Sequence, residues 1–196
     1  MQKIILASGS PRRKEILQLA NIPFEVIIAE TDESHPPGLS PQQVAVHIAQ
    51  NKARAADEIL SDKNIISKTL NLPVLSADTI VLLGNEIIGK PADRNDAIKI
   101  LQKLSGKKHK VITGVVILHN KSEIAFADTT EVEFHKLTIK QIKYYVDNYK
   151  PFDKAGAYAI QEWIGVVGIK NINGDFYNVM GLPVSRVLIE LKKLKY

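Results

Sequence analysis

The run Val74-Leu75-Ser76-Ala77-Asp78-Thr79-Ile80-Val81-Leu82-Leu83 is apolar at almost every position rather than at alternate ones. A strand with one face in water alternates apolar with polar residues, whereas a strand covered on both faces has no reason to. The stretch therefore predicts a doubly covered strand. Asp78 interrupts its middle, and an ionised carboxylate there is costly unless it is paired, hydrogen-bonded or bound to a metal. Acids in such surroundings gather at functional sites, which puts a functional reading of Asp78 ahead of a structural one.

Gly84-Asn85 suits a two-residue hairpin turn, and that turn sets a register. Counting outward pairs Leu83 with Glu86, Leu82 with Ile87, Val81 with Ile88, Ile80 with Gly89 and Thr79 with Lys90. Lys90 is thereby expected beside Asp78, with Gly89 clearing space and Pro91 ending the pairing.

At the other end of the chain, Ala7-Ser8-Gly9-Ser10-Pro11-Arg12-Arg13 follows the apolar run Ile4-Ile5-Leu6 and precedes Ile16, Leu17 and Ala20 at helical spacing. It reads as a strand-to-helix turn, with Ser10 as N-cap and Pro11 at the first helical position. Arg12 and Arg13 fall in the first turn, where the helix dipole is already positive, so each costs about a few tenths of a kcal/mol unless an anion is present. Gly9 permits close backbone approach, and free N–H groups, two hydroxyls and two guanidinium forks complete a phosphate site. The alternative is an ordinary helix start with two solvated arginines. The spacing matches neither G-x-x-x-x-G-K-[ST] nor G-x-G-x-x-G.

Between these features, Phe24 to Ala29 reads as a strand entering an acidic loop, Glu30-Thr31-Asp32-Glu33, and Pro36-Pro37-Gly38 breaks regular structure. Ser40 and Gln43 form a capping box for a helix with Val44, Ile48, Ala55 and Ile59 on its apolar face. Lys52 shares that stripe and must either snorkel to water or aim its ammonium at an anion. Beyond the hairpin, Asp93 caps a helix through Leu104 with Ala97, Ile98 and Leu101 inward, and Gly106 ends it. Strands are expected over 109–118 and 123–135, followed by a second capping box at Thr138 and Gln141. Tyr144, Tyr145 and Tyr149 on that helix suit packing better than base stacking. Asp153 to Gln161 is rich in small residues suited to a flat ligand. Asn173-Gly174 suggests a hairpin between 166–172 and 176–180, and an amphipathic helix closes the chain through Val184, Val187, Leu188 and Leu191.

The 196 residues suffice for one domain with two lobes around a cleft, and a hydrophobic content of 45% with 24% charged residues is ordinary for a globular protein. With no cysteine there is no disulfide and no thiolate metal site, and no two histidines have ligand spacing, so all five are read as surface or satisfied. Ile4 to Ala7 is too short for a signal sequence and no run could span a membrane, so a cytoplasmic protein is expected. The net charge of +5 is spread along the chain rather than blocked; it suits nucleic acid or a small polyanion, and composition does not choose between them.

Taken together, Ser8 to Arg13, Glu33, Asn51-Lys52-Ala53, Ser76 to Thr79, Gly89-Lys90-Pro91, Asp153-Lys154-Ala155-Gly156 with Gln161, and Asn178 with Gly181-Leu182-Pro183 resemble the Maf family of nucleoside triphosphate pyrophosphatases. The resemblance covers nearly the whole chain in order. It implies an α/β fold related to the inosine triphosphate pyrophosphatases, with a long twisted mixed sheet and helices, two lobes flanking a cleft, and all of 1–196 as one domain. It implies hydrolysis of a nucleoside triphosphate to the monophosphate and pyrophosphate, assisted by Mg²⁺ or Mn²⁺. Asp78 is then the general base, a metal ligand or both. Glu33 is the other ligand, and Ser8, Arg12, Arg13, Lys52 and Lys90 contact the triphosphate. Arg12, Thr79 and Gln161 match the branch resembling dTTP/UTP pyrophosphatases; the branch acting on 7-methyl-GTP has tryptophan, glutamine and glutamate there. The chemistry agrees, because a glutamine amide can accept N3–H of uracil or thymine and donate to a ring carbonyl, whereas guanine's paired donors suit a carboxylate. Two rival readings are a broader enzyme clearing noncanonical purine triphosphates such as ITP, and a non-catalytic nucleotide-binding regulator of septum formation. A homodimer is a family expectation only.

Overall fold

The computed structural model describes residues 3–61, 71–120 and 122–194. Its strands are β1 (Ile4–Leu6), β2 (Phe24–Val26), β3 (Val74–Leu83), β4 (Glu86–Ile88), β5 (Lys108–His119), β6 (Ser122–Phe134) and β7 (Ile169–Asn173). Its helices are α1 (Pro11–Leu19), α2 (Pro41–Ser61), α3 (Arg94–Leu104), α4 (Ile139–Tyr149), α5 (Trp163–Gly168), α6 (Phe176–Met180) and α7 (Val184–Leu191), with a 3-10 turn at Ala155–Ala157. The strands form one sheet in the order β2-β1-β3-β5-β6-β7, with β4 added against β3. β1 runs parallel to β2 and β3, while β3/β4 and β6/β7 are antiparallel, so the sheet is mixed as expected.

The chain divides into two compact units, residues 1–78, 113–128 and 181–196, and residues 79–112 and 129–180. In the first, Ile5, Ala7, Val74 and Val116 from the sheet pack with Ala49, Ala53, Ala56 and Leu60 from α2. The capping box starts α2 as expected: Ser40 N–H donates to Gln43 Oε1 at 2.8 Å and Gln43 N–H to Ser40 Oγ at 3.3 Å. The buried stripe is Val44, Ala45, Ile48, Ala49, Ala53, Ala56 and Leu60; Ala55 is only half-buried and Ile59 is exposed. The residues named from sequence, in steps of four, seven and four, lie along one margin of the stripe, whose centre is formed by Ala45, Ala49, Ala53 and Ala56.

The small residues of that stripe let α2 lie against β5. A Cβ on Gly114 of β5 would sit 2.3 Å from the Ala45 carbonyl carbon and 2.4 Å from Val46 N, both backbone atoms that no rotamer change can move. Gly114→Ala should therefore cost about 3 kcal/mol, the upper end for overpacking. That corresponds to a fall in Tm of roughly 6–12 °C in a thermal melt. An unchanged Tm would mean that α2 is not seated on β5 at this spacing.

In the second unit, Asp93 caps α3 by accepting the Asp96 N–H at 2.8 Å, and Ala97, Ile98, Leu101 and Leu104 are buried as expected. α4 carries its own capping box at Thr138 and Gln141. Arg94 of α3 makes a two-pronged bond to Asp147 of α4, at 2.6 and 2.9 Å. The hairpin register is also as read, Leu83 with Glu86, Leu82 with Ile87 and Val81 with Ile88.

Four expectations are corrected. The ladder ends at Ile88, short of the anticipated Ile80/Gly89 and Thr79/Lys90 pairs; the Gly89 carbonyl instead accepts the Gly156 N–H at 3.1 Å. β2 stops at Val26 rather than Ala29. Residues 163–168 are helical, so the strand anticipated from Val166 begins only at Ile169. Phe176 to Met180 is a helix, not the second arm of a hairpin. Asp175 decides that last point, because its carboxylate accepts the Tyr177 N–H at 2.7 Å and Thr130 Oγ1 accepts its N–H at 3.1 Å, which turns the chain into α6.

Candidate active site

The first unit gathers six of the residues singled out from sequence. The Ser8 hydroxyl, just after β1, accepts the Arg13 guanidinium at 3.0 Å and the Ser10 N–H at 3.3 Å. Ser10 occupies the N-cap position of α1 but makes no side-chain cap bond; its own N–H is the one held by Ser8, which turns the chain into the helix. Pro11 stands at the helix start as anticipated. Arg13 also donates from Nε to the Gly181 carbonyl at 2.8 Å, leaving the guanidinium buried and fixed at two points. Burial pulls Arg13 below the ordinary guanidinium value; Asp78 and Glu33 push the other way, and Arg12 adds to the depression. Arg13 therefore lies within the fields of Asp78, Arg12 and Glu33.

Lys52 is the junction of this cluster. Its ammonium donates to Asp78 Oδ1 at 2.7 Å and to Glu33 Oε1 at 2.9 Å, so it aims at anions rather than snorkelling free. The Lys52 and Asp78 side chains are 19% and 13% exposed, whereas Glu33 is 48% exposed at the end of the acidic loop. The pairing supplies the partner that a carboxylate in β3 requires. It is set up two residues earlier on the strand, where Ser76 Oγ, fully buried, donates to the Ala49 carbonyl of α2 at 2.6 Å. Residues 76 and 78 share a face of β3, and residue 52 lies just under one helical turn beyond 49. That single bond thus sets Asp78 against Lys52. On either side of Glu33, Asp32 accepts both the N–H and the hydroxyl of Ser34, at 2.9 and 2.5 Å, which turns the loop.

The second unit holds Thr79, Lys90 and Gln161. Thr79 is half-buried on β3, Lys90 is exposed just after β4, and Gln161 is exposed just before α5. The Gly89–Gly156 hydrogen bond brings the Gly89-Lys90-Pro91 and Asp153 to Gly156 motifs together. Lys154 is buried and pairs with Asp153 at 2.7 Å and Glu162 at 3.7 Å.

Residues 3–194 match the family described as Maf-like protein. Among curated relatives, a dTTP/UTP pyrophosphatase of Cytophaga hutchinsonii is 47% identical over 97% of this chain and 84% of its own length. One of Bacillus cereus is 46% identical over 98% of this chain and 96% of its own. The chain belongs to the Maf-like family. Among solved structures, the Staphylococcus aureus Ham1 protein covers 98% of this Maf-like chain and 100% of its own at a TM-score of 0.50 and 15% identity, which is a likeness of fold.

Two features of this Maf-like chain were not visible as site residues beforehand. Ser76 and Gly181 act through a helix carbonyl and a backbone carbonyl respectively, contacts between segments remote in sequence that no spacing rule encodes. The reading of all five histidines as surface or satisfied is corrected at His109. Its ring is buried, with Nε2 2.8 Å from the Tyr158 hydroxyl and Nδ1 lacking any hydrogen-bond partner among the described residues. Phe134 and Tyr158 enclose it edge-on, at centroid distances of 5.2 and 5.5 Å. The tyrosines of α4 pack as anticipated: Tyr145 is fully buried and stacked on Tyr149, and Tyr144 lies against Trp163. No helix among the described residues is long and apolar enough to cross a membrane.

Proposed function

We propose that this Maf-like protein hydrolyses dTTP and UTP to the monophosphate and pyrophosphate. The observation that carries the reading is the Lys52 ammonium joining Asp78 and Glu33, two carboxylates whose fields also reach the buried and fixed Arg13. Cations held in place by the fold cost no reorganisation when they meet a polyphosphate, and this is where such a site gains its rate. The curated relatives' names supply the substrate class.

In the proposed reaction a water attacks the α-phosphorus. A P–O bond forms to the water oxygen as the α–β bridging bond breaks, and pyrophosphate leaves with the bonding electrons. The water's proton passes to Asp78, which Lys52 holds in position. Arg12, Arg13, Lys52 and Lys90 balance the charge of the triphosphate, and the Ser8 hydroxyl orients Arg13 and the turn.

The donor set fits a hard divalent cation. Glu33 and Asp78 present two carboxylates gathered at one point, and Mg²⁺ commonly takes one or two carboxylates while water and substrate phosphate fill the rest of its shell. Such an ion, when bound, supplies further neutralisation of the triphosphate.

Thr79 and Gln161 read the base. Replacing the Gln161 amide by a carboxylate removes its two donors and sets a negative charge toward the ring carbonyls of uracil or thymine. Gln161→Glu should lower kcat/KM for dTTP and UTP relative to purine triphosphates by about 10–100-fold, the cost of one mismatched polar contact. Because Gln161 is exposed, Tm should hold. An unchanged ratio of pyrimidine to purine turnover would remove Gln161 from base reading. The proposed activity itself is tested by a panel of nucleoside triphosphates with Mg²⁺ or Mn²⁺, scored for pyrophosphate against orthophosphate. Pyrophosphate from dTTP and UTP is expected; preference for ITP, or binding with no hydrolysis, would replace this reading with one of its two rivals.

A further inference from the structure

Gln161 is an exposed side chain on a short connection, and a residue of that kind discriminates between bases only if its backbone is held still. The connection is held in an unusual way. Glu162 N–H donates to the Ala159 carbonyl at 3.2 Å, closing a four-residue turn with Gln161 at its third position. Both ends of the turn are tied to one atom, the phenolic oxygen of Tyr145. Ala159 N–H donates to it at 3.1 Å, and its own hydrogen goes to Glu162 Oε2. The other carboxylate oxygen of Glu162 faces the buried Lys154 ammonium at 3.7 Å. Tyr145 is itself fully buried on α4, whose place beside α3 is fixed by the Arg94–Asp147 fork. From the other side α5 closes on the turn so tightly that a Cβ on Gly165 would lie 1.7 Å from the Ile160 carbonyl oxygen.

We infer that Tyr145 is a positioning residue for base selection: its hydroxyl, with Glu162 and Lys154, locks the 159–162 turn so that Gln161 presents its amide in one orientation. This rests on the assignment of Gln161 to base reading. Neither Tyr145 nor Glu162 touches the nucleotide in this account. A loosened turn spends part of the binding energy on ordering Gln161 again, so the loss appears in the affinity for the pyrimidine substrates and spares the chemistry carried by Asp78.

The test compares Tyr145→Phe, which keeps the ring and its stacking on Tyr149, with Tyr149→Phe, which removes a phenol from the same helix outside the clamp. Three quantities are read: KM and kcat for dTTP and for dGTP, amide hydrogen exchange at Ala159, and Tm. Tyr145→Phe should raise KM for dTTP about tenfold, with kcat changed less than about twofold and dGTP kinetics unmoved. Exchange at Ala159 should accelerate at least as much. Tyr149→Phe should match the wild type in all of these. Glu162→Gln retains an acceptor for the phenol and should keep the selectivity that Tyr145→Phe loses. An unchanged dTTP/dGTP ratio in Tyr145→Phe, or an equal loss of kcat on both substrates, overturns the inference. Failure of the underlying assignment is distinguishable: a wild-type protein indifferent to pyrimidine bases refutes Gln161 as the reader, while Ala159 exchange in Tyr145→Phe still decides the clamp, acceleration supporting it and no change refuting it.

Discussion

Asp78→Asn should reduce dTTP turnover by about 10²–10⁴-fold, the contribution typical of a positioned general base, while the protein remains folded. The substitution is close to isosteric. An asparagine Oδ1 can still accept from Lys52 at the position Asp78 occupies, and Lys52 keeps Glu33 as a charged partner, so neither is left unmatched. What disappears is the negative charge and the capacity to take a proton. Turnover near the wild-type rate would exclude both roles assigned to Asp78. The two roles also separate from each other. If Asp78 serves mainly as a ligand, raising Mg²⁺ or Mn²⁺ recovers much of the lost rate; if it serves as the base, saturating metal leaves the rate low.

The second large effect concerns stability in acid. His109 is 2% exposed, and burial pulls its imidazole down from 6.5 to about 4. With the folded value below the unfolded one, the unfolded chain binds the additional proton between those limits. Stability is therefore fully present above pH 6.5 and falls as the pH drops toward 4. At about 1.4 kcal/mol per pH unit, this one ring accounts for roughly 3 kcal/mol lost by pH 4. Tyr158 supplies no compensating negative charge, because its own burial pushes the phenol up and keeps it neutral throughout this range. Urea unfolding at a series of pH values checks the point. The wild type should lose stability over this window more steeply than His109→Phe, which keeps the aromatic packing without a titrating group. Parallel curves for the two proteins would show that His109 does not carry the difference.

Much of the framework was legible locally, because the signals that specify it are local. The Ser40/Gln43 and Thr138/Gln141 capping boxes, the Asp93 cap and the Gly84-Asn85 hairpin each involve residues within a few positions of one another, and each forms as read. The Asp78 carboxylate inside an apolar strand correctly announced that a partner had to exist. Spacing alone leaves open whether Lys52 snorkels or meets an anion; the structure sets it against Asp78, beside the bond from Ser76 to Ala49, while the ladder expected to carry on to Lys90 ends where the Gly89 carbonyl turns to Gly156. The misread of Phe176 to Met180 has the same origin. Its helix is started by Asp175 and fastened by Asn178 Nδ2 to the Val111 carbonyl and Thr130 Oγ1, contacts that span 67 and 48 positions.

The account's central claim is that the charged cluster around Lys52 directs water to the α-phosphorus of a nucleoside triphosphate. Hydrolysis of dTTP in ¹⁸O-labelled water, with mass analysis of both products after a single turnover, tests this directly. The label should appear in dTMP, with the pyrophosphate unlabelled. Label in the pyrophosphate, or orthophosphate and dTDP as the products, would contradict the account.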